Sequence, residues 1–119
     1  MRTHYDQITP FITRDGSLIR ELMHPDSHGI QNQSLAEAII TINSETLLHR
    51  HHRSEELYYI TQGNGLMTLD TQSFAVTIGD SICIPPGAAH KIRNTGDIEL
   101  KILCCCAPAY SHDDTELLD

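Results

Sequence analysis

Basic residues are scarce. Eight Lys and Arg stand against sixteen Asp and Glu, giving a formal net charge of -8. A phosphate-binding surface needs clustered cations, so the balance excludes nucleic acid as the expected partner. Long apolar runs are missing as well. No stretch approaches the roughly eighteen apolar residues of a membrane-crossing helix, and the opening MRTHYDQITPF has no apolar core of the kind a secretory signal carries. A cytoplasmic protein is the expectation. A spaced cysteine framework is also lacking: the four cysteines are Cys83 and the run Cys104, Cys105 and Cys106. They suit neither a disulfide scaffold nor a structural zinc site, and reduced thiols are expected. No convincing long helix can be read anywhere. With 119 residues there is one domain with a modest core, which a partner subunit would help to stabilise.

What remains is a series of short β-prone runs separated by Gly, Pro and Asn. Strands are expected over 35–42, 46–51, 57–61, 66–70, 74–78, 81–85, 88–94 and 98–107. Such spacing is the pattern of an all-β sandwich or barrel. Gln62-Gly63-Asn64-Gly65 reads as a tight turn. The run 18–23 is ambiguous and leans to an outer strand. Residues 1–33 are expected to be an N-terminal arm and loop, one that a partner subunit could exchange. Residues 34–107 are expected to form the barrel and 108–119 an acidic tail, loose or with a short turn capped by Asp113 or Asp114.

The stretch HRHHRSEELYYITQG, residues 49–63, carries the chemistry. On a strand, residues two apart share a face, so His49 and His51 can aim at one point. A carboxylate follows, Glu56 or its neighbour Glu55. Imidazole with carboxylate suits a divalent first-row metal. A second stretch, GDSICIPPGAAHKIRN at 79–94, sets His90 behind a rigid Pro-Pro-Gly turn, with Asn94 at the end of its strand.

Together these stretches resemble the two motifs of the cupin superfamily. His49, His51, Glu56 and Gly63 fit the first, and Gly79, Pro85, Gly87, His90 and Asn94 match the second throughout. The glycine that usually precedes the first histidine by six residues is replaced by Asn43, which also tolerates left-handed backbone. The resemblance implies a small single-domain cupin: a double-stranded β-helix, or jelly roll, holding one divalent ion (Fe, Mn, Ni, Zn or Cu) through His49, His51, Glu56 and His90. The spacing to Gly63 and the strand alternation both favour Glu56 over Glu55. Similar small cupins are usually homodimers, so a homodimer is expected.

Four protein donors leave two octahedral positions for water, a chelating small molecule, or substrate with dioxygen. The leading expectation is a metal-dependent oxygenase acting on a small organic substrate. One alternative is a metal-dependent sugar isomerase or epimerase resembling the barrel of phosphomannose isomerase, although no Lys and Arg set for a sugar phosphate is evident. The other is a non-enzymatic metal or small-ligand binding module. Tyr58 shares the inner face with Glu56 and is the candidate catalytic side chain, with plain barrel packing as its alternative. Arg50, Lys91 and Arg93 alternate outward, and His52 and Arg53 belong to a turn. Cys83 is expected to be a buried hydrophobe. Cys104 and Cys106 approach the cavity, as packing or as an oxidation-sensitive wall. Glu37 is expected in solvent, with a supporting role at the site as the other possibility. Tyr110 and His112 either close over the mouth or sit in an exposed tail. His4, His24 and His28 have no geometric reason to ligate.

Overall fold

The computed structural model describes residues 1–119. After a three-residue 3-10 turn, Tyr5–Gln7, eleven strands follow: β1 (Phe11–Ile12), β2 (Leu18–Met23), β3 (Ser34–Ile40), β4 (His49–His51), β5 (Glu55–Gln62), β6 (Asn64–Leu69), β7 (Gln72–Thr77), β8 (Ser81–Ile84), β9 (His90–Asn94), β10 (Leu100–Ala107) and β11 (Thr115–Leu117). They form two antiparallel sheets, one ordered β1-β2-β3-β10-β5-β8 and the other β11-β4-β9-β6-β7. This is the jelly roll expected from the motifs. No helix is long and apolar enough to cross a membrane.

Alternation builds the core. Along β5 every second residue is buried, and β10 and β8 repeat the pattern. The inward set meets between the sheets, where Ile60, Met67, Ile84, Ile92, Leu100 and Ile102 are fully buried. Complete burial of side chains of this size contributes about 1.5–3 kcal/mol each.

Several local readings are sharpened or changed. The turn expected at Gln62–Gly65 is present, and it joins β5 to β6 across two different sheets. Gly63, at φ +86°, is the corner at which the chain crosses between them. A Cβ there would lie 2.9 Å from the Glu99 carbonyl oxygen, so the position needs glycine for both its angle and its close approach. A hairpin follows at β6–β7, turning at Asp70 and Thr71. Asn43, standing where the motif usually has glycine, takes φ +63°.

Cys83 lies on the outer face of β8 and is exposed, contrary to the expected burial. Glu37 is buried rather than solvated. The Tyr5 hydroxyl donates to its Oε1 at 2.6 Å, and Arg20 Nε stands 3.9 Å away, so the N-terminal segment covers it. It supports that segment, and the site lies elsewhere. In the 1–33 segment, β2 pairs with β3 of the same chain. In the 108–119 segment, Thr115–Leu117 form a strand against β4. Asp114 caps no helix there. Its carboxylate accepts from the Arg53 and Ser54 amides at 2.9 and 3.0 Å, which holds the β4–β5 turn.

Candidate metal centre

β4 presents His49 and His51 inward and turns Arg50 outward, where it pairs with Glu116. β9 brings His90 beside them, with His49 and His90 directly opposite in register. All three imidazoles are buried, and one donor nitrogen from each lies within 4.8 Å of the others. Glu56 on β5 is buried and points to the same place. Its Oε1 is 3.2 Å from His51 Nε2 and 3.4 Å from His90 Nε2. Glu55, one residue earlier, is exposed.

Hydrogen bonds at the far side of each ring set its tautomer. His49 Nδ1 is 2.7 Å from the Leu47 carbonyl, and His90 Nδ1 is 3.0 Å from the Ala88 carbonyl. A carbonyl only accepts, so both Nδ1 atoms carry the proton. His51 Nδ1 is 2.9 Å from Thr115 Oγ1, whose own proton goes to the Ser111 carbonyl at 2.8 Å. The threonine oxygen therefore accepts from His51. All three Nε2 atoms are left as bare lone pairs facing the site, the arrangement in which imidazole binds a metal.

Glu56 then presents a problem that a cation solves. Burial pushes its pKa up, and hydrogen bonds and charge from His51 and His90 hold it down only where those rings carry a proton on Nε2. With the ring protons on Nδ1, an ionised Oε1 would face two lone pairs with no proton between them, and a cation takes the place of those protons. Glu56 Oε1 and His90 Nε2 are both buried without a hydrogen-bond partner. Two donors each about 2.1 Å from one ion and at right angles lie roughly 3 Å apart, close to the spacing observed. The residues fit a divalent metal.

The other carboxylate oxygen, Oε2, receives the Cys106 thiol at 3.3 Å. Burial, followed by the charge of Glu56, pushes this thiol well up, so it stays protonated and donates. Burial first, and the charge of Glu56 second, likewise push both Cys104 and Tyr58 up. Tyr58 is a neutral phenol, buried, with its ring 6.1 Å from that of His90. Burial, then the neighbouring His90, lowers the pKa of His49 and favours its neutral form.

The centre opens into a cleft lined largely by apolar side chains. Its walls include Ile40, Ile92 and Ile102, and it also takes in Tyr58, Cys104 and Cys106. Tyr110 lies at the rim. Its ring meets His51 edge-on at 5.7 Å, and its hydroxyl is 3.2 Å from Thr13 Oγ1. His112 is exposed beside it. His24 is buried and bonds the Tyr110 carbonyl at 2.7 Å, a structural role that no motif signalled. Two further polar groups at the site went unforeseen, Thr115 beneath His51 and Asp15 beside His49. Asp15-Gly16 announces a turn in the sequence, but nothing local says that the turn folds over the barrel.

Paired antiparallel sheets closed into a jelly roll, with imidazoles converging inside one end, are the architecture of cupins. The chain belongs to that family: the family model described as "Cupin domain" matches residues 36–106. An uncharacterized protein of Methanocaldococcus jannaschii is 58% identical over 119 residues, spanning 100% of this chain and 95% of that one. The polyketide synthase CurC of Streptomyces cyaneus is 30% identical over 115 residues, 92% of this chain and 74% of that one. Among solved structures, the polyketide cyclase RemF of Streptomyces resistomycificus superposes with a TM-score of 0.83 at 21% identity, covering 100% of this chain and 85% of that one.

Proposed function

We propose that the protein is a metal-dependent enzyme that moves protons on a small, largely apolar, oxygenated organic molecule. The observation that carries this reading is the cluster of three imidazoles whose Nε2 atoms are left bare, with the buried Glu56 carboxyl against two of them and no proton donor between. His49, His51, Glu56 and His90 would hold the ion. When bound, it would polarise a carbonyl or hydroxyl oxygen of the substrate. Tyr58, kept neutral by burial, is placed to donate a hydrogen bond to such a molecule. Ile40, Ile92 and Ile102 exclude water around its carbon skeleton. Relatives named for polyketide chemistry point to the same class of substrate, rich in carbonyls on an apolar frame.

Within metal chemistry, the two thiols favour proton transfer over the oxygenase expected first. Cys104 and Cys106 line the same cavity, and Cys106 touches a ligand. Thiols beside activated dioxygen are oxidised. Reduced cysteines also support a cytoplasmic location, since none of the four is paired. The outer face of the larger sheet leaves Leu57, Tyr59 and Leu35 exposed, which supports a homodimer.

The test uses metal-reconstituted protein under nitrogen in D2O with simple 1,3-dicarbonyl probes. Hydrogen exchange at carbon that requires the bound metal, the proton passing to solvent while the polarised carbonyl takes up the charge, supports the proposal. Oxygen uptake coupled to product would establish an oxygenase instead. Binding without exchange or turnover would make the barrel a binding module.

A further inference from the structure

Beyond the four motif residues, one carboxylate reaches the centre from the N-terminal segment. Asp15 sits in the turn between β1 and β2, beside Gly16 at φ +89°. Its Oδ1 is fully engaged, accepting from the Ser17 amide at 2.9 Å and the Ser17 hydroxyl at 2.6 Å. Its Oδ2 points the other way and lies 3.6 Å from His49 Nε2. That nitrogen is the bare one, because the proton of His49 is on Nδ1 against the Leu47 carbonyl. Asp15 therefore repeats the relation of Glu56 to His51 and His90: a carboxylate oxygen set against an imidazole lone pair, with no hydrogen between. Three such contacts, at 3.2, 3.4 and 3.6 Å, flank the three imidazoles whose donor nitrogens lie within 4.8 Å of one another. A cation held by those imidazoles would answer all three once the two carboxylates close on it.

We propose that Asp15 is a fifth protein donor to the metal, binding through Oδ2, and that the β1–β2 turn is a strap closed by the ion. The proposal rests on the metal-binding reading of the site. The turn is already placed for the task. The Asp15 carbonyl accepts from the Leu47 amide at 2.8 Å, two residues before His49. Arg14 donates to the His112 and Thr115 carbonyls at 3.0 and 3.2 Å. The strap thus touches both neighbours of the histidine pair, the segment before β4 and the start of β11. Five protein donors leave one position of an octahedron, room for one substrate oxygen. Substrate and dioxygen together would require Asp15 to leave.

Asp15→Asn tests this, because its amide oxygen can still accept from Ser17 while the charge is gone. Mn(II) affinity of the full chain is measured by competition with a chelator, and Co(II) loading by its visible spectrum. The expected result is an Mn(II) affinity at least about tenfold weaker and an altered Co(II) spectrum. Amide exchange supplies a second readout. Metal should slow exchange across residues 13–17 in the parent and not in the variant. A variant that binds Mn(II) within threefold of the parent, with the parent's Co(II) spectrum and the same metal-induced protection, overturns the proposal while leaving the metal site standing. If the parent itself binds neither ion, and His51→Ala changes nothing, the metal reading fails and takes this inference with it.

Discussion

Thr115→Val isolates the role of the hydroxyl that supports His51 from behind. Valine matches threonine in shape but removes Oγ1. Two buried interactions go with it, the one at 2.9 Å from His51 Nδ1 and the one at 2.8 Å to the Ser111 carbonyl. Thr115 is only 6% exposed, so water does not readily replace them. Each buried group left unpaired costs about 1–3 kcal/mol. At this chain length each kcal/mol lowers the melting temperature by roughly 3–6 °C. His51 also loses the acceptor that keeps its proton on Nδ1. Its proton can then occupy Nε2 and compete with the metal. Removing such a partner typically weakens metal binding about 10- to 100-fold, equivalent to roughly 1.4–2.8 kcal/mol. Calorimetric titration with Zn(II) on the folded variant measures this, and Thr115→Ser should restore binding because it retains the hydroxyl. A valine variant with parental Zn(II) affinity would refute the tautomer argument, whatever its melting temperature.

Three other outcomes follow from the geometry. Glu56→Gln should abolish tight metal binding, yet the metal-free variant should melt a few degrees above the metal-free parent. Its amide can donate to a bare Nε2 where the carboxylate only faced lone pairs, a relief of about 1 kcal/mol, measured by calorimetric melting. Gly63→Ala should destabilise the fold by about 1–3 kcal/mol in urea titration, from its φ of +86° and the clash with the Glu99 carbonyl. Leu57→Lys combined with Tyr59→Lys should convert the proposed dimer to a monomer by light scattering; a parent already of monomer mass would refute the dimer, and an unchanged dimer mass would remove the outer sheet face as its interface.

The ligand-bearing strands were readable because alternation is a local rule. His49 and His51 are two apart on one strand, and the same count separates buried Glu56 from exposed Glu55. The motif glycines and Asn43 were readable because positive φ has a short list of tolerant residues. What escaped depends on partners distant in sequence. Asp15 and Thr115 reach the centre from turns and strands whose docking no local pattern records. Gly63 was readable as a turn, but turn chemistry does not say which sheet the next strand will join. Cys83 was misplaced because hydrophobic character says little about an outer strand face. Glu37 was misplaced because the segment covering it, around Tyr5, carries no periodic signal.

The pairing of β11 with β4 has a consequence for how the protein comes into being. Every strand that bears a motif histidine is synthesised before residues 111–117, yet Thr115 sets the tautomer of His51 and Asp114 holds the turn leading to Glu56. Chains emerge from the ribosome N-terminus first, so the three histidines can be in place before the groups that orient them arrive. Capture of an ion at the proposed site would thereby be deferred to nearly complete chains.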